Sequence, residues 1–194
     1  MTEAGLAVVV GATGTIGQAV IRRLTGRGLP VLAVARGRDD LDKLASADEL
    51  VTPCPADIGS NDAIGAIGSA LAGLDGLHGL HGSVRMAVFA AGLPVRGSAD
   101  TIDPDALAVG SNIKVGGLLR LLHAVRDRLV PGSRFVTFAG SLGLEPRAHE
   151  AGPGAVNGAK GKPAAGGEAE PRGNLAERIR ALQSRSSQIV PSAS

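Results

Sequence analysis

A chain of 194 residues suits one domain, and its 44% hydrophobic content suits a packed core. Aromatic residues make up only 2%, so Ala, Val, Leu and Ile must build that core, and the complete absence of Tyr and Trp removes every mechanism that needs a phenol or an indole. A net charge of +2 with dispersed Lys and Arg argues against nucleic acid. The single Cys54 cannot form an internal disulfide and fits a cytoplasmic location. No apolar run approaches the ~20 residues that cross a bilayer, and nothing reads as a signal peptide, so no membrane partner is expected.

Leu6 to Val10 is a continuous apolar run ending in glycine, the pattern of a strand covered on both faces of a parallel sheet. From Ile16 the apolar positions Ile16, Ala19, Val20 and Leu24 recur at helical spacing. Gly26 to Pro30 then stops the helix before a second apolar run, Val31 to Ala35, and the three segments make a βαβ unit. A second helix is expected over Asp39 to Leu50. The strand after it, Val51 to Asp57, contains Pro53 and Pro55 and therefore belongs at a sheet edge.

Helical spacing returns over Asn61 to Leu74, followed by a glycine-rich loop from Gly73 to Gly82 and a fourth strand over Arg85 to Ala91. The longest periodic stretch runs from Asp103 to Leu129, with Asp103 and Pro104 as cap and first-turn residues. Leu118, Leu119, Leu121, Leu122, Val125 and Leu129 supply its expected buried face. Arg134 to Ala139 reads as strand five. Strands and helices alternating at these lengths imply an α/β, Rossmann-type doubly wound parallel sheet in three α/β/α layers. Residues 1–150 form the expected dinucleotide-binding domain, and 151–194 an atypical C-terminal segment, either part of the same domain or disordered. Within that segment Ala151 to Gly173 lacks periodicity, Asn174 to Ser186 could form a short amphipathic helix, and Gln188 to Ser194 a strand or frayed end.

Gly11-Ala-Thr-Gly-Thr-Ile-Gly17 lies between the first strand and its helix, the context in which a glycine pattern becomes specific for a dinucleotide. Gly11 permits the tight exit, Gly14 lets backbone approach phosphate, and Gly17 permits close helix packing; Thr13, Thr15 and Ile16 complete the cofactor loop. Free N–H groups at the helix start face the pyrophosphate. An NAD site places an acidic residue at the end of strand two to bond the ribose 2′-hydroxyl. Here Arg36 stands there, with Arg38 nearby, and a guanidinium suits a 2′-phosphate, so NADP is expected over NAD. In the alternative, Arg36 faces solvent and Asp39 or Asp40 turns to the ribose.

These residues, taken in order from Leu6 to about Gly158, resemble the short-chain dehydrogenase/reductase family. The glycine spacing is nearer its extended and atypical branches. Asp57-Ile58 resembles the Asp after strand three that contacts adenine. Ala90-Ala91-Gly92 resembles the Asn-Asn-Ala-Gly motif after strand four, with Phe89 and Ala90 in place of the Asn residues. Asn112, in Ser-Asn-Ile-Lys, resembles the Asn that supports a proton-relay water, and Ser141 resembles the Ser that polarises the substrate carbonyl. Each also has a structural reading, Asn112 as a helix-bridging residue and Ser141 as a strand-end hydrogen bonder. The family's Tyr and Lys fall, by counting from Ser141, on Gly154 and Gly158, neither of which can donate a proton or tune a pKa. Ala155 to Ala159 resembles the start of the active-site helix, and Lys160 or Lys162 could stand in for the missing Lys.

The resemblance implies an NADP-dependent oxidoreductase moving hydride to or from a small carbonyl or alcohol substrate, impaired by loss of the Tyr. The alternatives are a catalytically inactive NADP-binding sensor or subunit, or an interaction protein that pairs through its long helix; a homodimer or homotetramer is an open assembly. His78 and His81 lack the further ligands a metal needs, so no metal is expected. His123 and His149 are isolated. Ala-Gly-Ser-Leu-Gly around Ser141 matches a hydrolase nucleophile elbow only superficially, because a cofactor loop lies upstream.

Overall fold

Five short strands, β1 (Leu6–Val10), β2 (Val31–Ala35), β3 (Val51–Pro55), β4 (Val84–Phe89) and β5 (Leu129–Thr137), pair in parallel in the order β3-β2-β1-β4-β5. They come from a computed structural model that describes residues 5–76, 82–95 and 101–138. Contacts divide the chain into two units, Met1–Gly161 and Lys162–Ser194, and every described residue belongs to the first. The architecture is the expected doubly wound Rossmann sheet. Its helices are α1 (Thr15–Thr25), α2 (Arg38–Ala47), α3 (Asp62–Gly73), α4 (Pro104–Ser111) and α5 (Gly117–Val125).

Alternate strand residues feed two separate apolar layers. Leu6, Val8, Val10, Leu32 and Phe89 face α3 and α5, where Ile67, Leu71, Leu121 and Val125 meet them. Ala7, Val9, Val31, Ala33 and Val88 face the other side, under Ile21, Leu24 and Leu41. Every residue of β1 is buried, which explains its uninterrupted apolar run. Burial of a Leu or Ile contributes roughly 1.5–3 kcal/mol, so two such layers dominate the stability of an almost aromatic-free domain. Pro53 and Pro55 do lie on the edge strand, where a missing N–H costs the ladder least.

Several boundaries move. Helix α2 stops at Ala47 rather than Leu50, because Asp48 turns extended. Its carboxylate accepts from Leu50 N at 3.1 Å and its carbonyl from Val51 N at 3.0 Å, a tight turn that launches β3. The long helix expected over Asp103 to Leu129 does start on Asp103, whose carboxylate accepts from Asp105 N at 2.9 Å, with Pro104 first in the helix. It is then interrupted by a π-helical turn, Asn112–Gly116, resumes as α5, and ends through a 3₁₀ turn, Arg126–Arg128.

Leu129 is therefore the first residue of β5 and not a helix residue. Strand five begins earlier than Arg134 because its start carries a bulge: Val84 pairs with Leu129 while Met86 pairs with Arg134. Gly132, at φ +85°, bends the extra residues, and the Ser133 hydroxyl donates to Val84 O at 2.7 Å and accepts from Val130 N at 2.8 Å. The buried face also proves narrower than expected. Leu121 and Val125 are buried and Leu118 packs against the core, but Leu119 and Leu122 are 51% and 40% exposed. The loop histidines His78 and His81, Ser141, His149 and everything expected of the C-terminal segment lie outside the described residues.

Candidate cofactor-binding site

Reversal of strand order between β1 and β4 opens a crevice at their C-terminal ends, where open α/β sheets bind ligands. A cleft of about 260 Å³ occupies it. Gly11, Thr13 and Gly14 after β1 line it, as do Arg36 after β2, Asp57 and Ile58 after β3, and Ala90, Ala91 and Gly92 after β4. Leu93 and Ile113 complete the wall on the side of the π turn. Thr15, Ile16 and Gly17 form the first turn of α1 beside it rather than its lining.

The three loop glycines have different physical reasons. Gly11 adopts φ +82°, and a Cβ there would lie 2.7 Å from Ala91 N, so the β1 and β4 exits touch through bare backbone. A Cβ on Gly17 would lie 2.1 Å from Gly11 O, so helix and loop seat against each other only without a side chain. At Gly14 a Cβ would meet nothing closer than Gly11 O at 3.4 Å. The fold thus leaves Gly14 open towards the cleft, a space that a side chain would fill. No side chain caps α1 and no acidic residue sits in its first turn. Its first N–H groups and the positive end of its dipole are left for an anion, which fits a pyrophosphate.

Arg36 is exposed at the cleft wall. The two acidic candidates behind it do not line the cleft: Asp40 bonds Lys43 at 2.9 Å, and Asp39 shares the first turn of α2. Arg38 lies 3.7 Å from Asp42, one turn along α2, and does not line the cleft. Asp57 sits at the cleft with one carboxylate oxygen accepting from Gly59 N at 2.9 Å, which shapes the β3 exit. Asn112 donates its amide to Gly59 O at 2.9 Å and accepts from Arg120 at 2.9 Å. Its side chain is thus engaged at the β3 exit.

Two residues on, Lys114 points elsewhere. Its ammonium donates to the Phe138 carbonyl just after β5 and lies 6.0 Å from the centre of the Phe89 ring. A Cβ on Gly92 would come within 4.0 Å of it. Partial burial lowers its pKa below the ordinary 10.5, because desolvation disfavours the charged form. Lys114 is a residue that sequence reasoning misses, although its position carries a signal: it stands on the stripe of Leu118, Leu121 and Val125, where a charge needs a reason. Among the described residues no group of His, Cys, Asp or Glu could hold a metal ion, and no helix is long and apolar enough to cross a membrane.

A Rossmann unit with an uncapped glycine-loop helix at its switch point defines the class as nucleotide-binding. The KR-domain family model matches residues 5–157, and the chain belongs to this family of short-chain dehydrogenases/reductases. No curated protein matches it. Among solved structures, a short-chain dehydrogenase from Streptomyces avermitilis is 20% identical with a TM-score of 0.69, over 97% of this chain and 63% of the other. A 3-ketoacyl-(acyl-carrier-protein) reductase from Brucella melitensis, complexed with NADH, is 20% identical with a TM-score of 0.70, over 81% and 66%. The angucycline C-6 ketoreductase LanV, with bound NADP, is 20% identical with a TM-score of 0.72, over 80% and 62%. The chain thus spans about two thirds of the length of the proteins it matches, and likeness at this identity speaks for the fold.

Proposed function

We propose that the chain is an NADP(H)-dependent oxidoreductase that reduces a small carbonyl substrate. The observation that carries this reading is the cleft itself. It runs from a guanidinium at the end of β2, past the open start of α1, to Gly92 with a partly buried ammonium beside it. Arg36 holds the 2′-phosphate by charge-assisted hydrogen bonds, the first amides of α1 hold the pyrophosphate, and Asp57 with Ile58 receives the adenine. The bound coenzyme supplies the hydride. Neighbours solved with NADH and with NADP support a nicotinamide nucleotide, and Arg36 supports the phosphorylated form.

Carbonyl reduction also needs a proton on the substrate oxygen, and the sequence has no Tyr to give it. Lys114 Nζ is the donor in this reading: a desolvated ammonium gives up its proton more readily than an exposed one and takes it back from water. Ser141, by resemblance, polarises the same oxygen. Calorimetric titration with NADPH and NADH tests the first half; tighter binding of NADPH is expected, and no heat with either would remove the reading. Following NADPH absorbance with a panel of ketones and aldehydes tests the second half, and Lys114→Met should abolish turnover while NADPH still binds. The missing Tyr favours one alternative, a coenzyme-binding sensor or subunit, for which binding without any turnover is the expected result.

A further inference from the structure

A polar cluster between α5 and the β3 exit takes no part in the chemistry above. Arg120 Nε donates to Asn61 Oδ1 at 2.8 Å, its Nη2 to Asn112 Oδ1 at 2.9 Å, and its Nη1 to the Ile58 carbonyl at 3.2 Å. Asn112 Nδ2 donates in turn to the Gly59 carbonyl at 2.9 Å. One guanidinium therefore ties α5, the π turn and the loop from Ile58 to Asn61 together.

The backbone is shaped to admit it. A Cβ on Gly116 would lie 2.8 Å from both Arg120 Nη1 and Asn112 Oδ1, so glycine leaves the room the guanidinium occupies. A Cβ on Gly117 would lie 3.0 Å from the Phe89 ring and 3.1 Å from Ile58 Cγ1, so the helix rests directly on Ile58. The π turn itself changes the helical phase between Asn112 and α5, and such turns concentrate at functional sites.

Closing the core does not require this cluster. Leu121 and Val125 are fully buried and take no part in its hydrogen bonds, while Asn61 and Asn112 are exposed, and exposed polar contacts add little net stability. What the cluster does fix is the wall made by Asp57, Ile58 and Ile113, which lines the cleft.

We propose that Arg120, with Asn112 and Asn61, is a positioning device that holds this wall in the shape that recognises the adenine base. The inference rests on the coenzyme reading above. Arg120 acts through Asp57 and Ile58 without touching the base. Its removal should therefore blur the choice of base more than it weakens the fold.

The test compares NADPH with its hypoxanthine analogue, in which the base amino group is replaced by a carbonyl oxygen. The wild-type chain should prefer adenine by about tenfold or more, the worth of one hydrogen bond to a carboxylate. In Arg120→Met that preference should fall to about twofold, Asn61→Ala should move it part of the way, and Asn61→Asp, which keeps the acceptor, should retain it. Arg128→Met, which breaks a 2.8 Å pair with Asp75 away from the cleft, should leave it intact. A wild-type chain that binds neither nucleotide overturns the coenzyme reading and this one with it. Binding without any choice of base, an unchanged preference in Arg120→Met, or an equal loss in Arg128→Met overturns the positioning role alone. If Arg120→Met does not fold, Asn61→Ala decides: an unchanged preference there likewise overturns the positioning role.

Discussion

Alanine at Gly14 and alanine at Gly17 should fail in opposite ways, although only three residues separate them. Gly14 sits at φ −75°, ψ 162°, backbone that any residue adopts, and its added methyl meets nothing nearer than 3.4 Å. The only folding cost is a poorer helix cap, about 0.5–1 kcal/mol, or roughly 1–4 °C in melting temperature. The methyl does enter the space a pyrophosphate needs. Losing two hydrogen bonds to a charged group there removes about 3 kcal/mol or more, which is about 100-fold in Kd.

At Gly17 the added methyl lies 2.1 Å from Gly11 O, where ordinary contact begins near 3.4 Å, so backbone must give by more than an ångström. Overpacking of this kind costs about 1–3 kcal/mol or more, partly offset by the ~1 kcal/mol a helix gains when alanine replaces glycine. Calorimetric titration with NADPH alongside thermal melts separates the two. If Gly14→Ala binds NADPH within threefold of wild type while remaining folded, the phosphate role of the loop is wrong. A Gly17→Ala melting point equal to wild type would show that the close approach is not rigid.

Arg36→Asp should move the ratio of NADPH to NADH affinity by tenfold or more towards NADH, because it exchanges a phosphate partner for a hydroxyl acceptor; titration with both nucleotides reads it, and an unchanged ratio refutes the assignment. Carbonyl reduction should need Lys114 protonated, so its rate should fall about tenfold per pH unit above a pKa that lies below 10.5, since burial lowers it. A pH profile flat to 10.5 would exclude Lys114 as the proton source. Ser133→Ala should leave Val84 O and Val130 N short of a partner and cost about 1–3 kcal/mol in a denaturant titration; a change under about 0.5 kcal/mol would show that water replaces the hydroxyl.

The sequence is most legible where local and tertiary demands agree. β1 and β2 can be read to the residue because strands buried on both faces leave no polar position, and the glycines between them admit few other folds. The edge position of β3 follows from Pro53 and Pro55 alone. The region from Asn112 to Ser133 misleads because the period of 3.6 continues, to the eye, through a π turn and into a bulged strand. Leu129 matches a helical stripe, yet Gly132 and Ser133 place it in β5. At the cleft, the glycines that line it are visible because backbone geometry selects them by type. Lys114 is hidden because its importance depends on the Phe138 carbonyl and Phe89, both distant in sequence.

The widened turn at Asn112–Gly116 lets one helix serve two masters. Each residue of an α-helix turns the chain by about 100°, so deleting one residue here would swing everything upstream by that angle relative to α5. Asn112 would leave Gly59, or Lys114 would leave Phe138; both could not stay. A single surplus residue thereby lets the Gly59 carbonyl beside the cleft and the Phe138 carbonyl after β5 be held by the same rod.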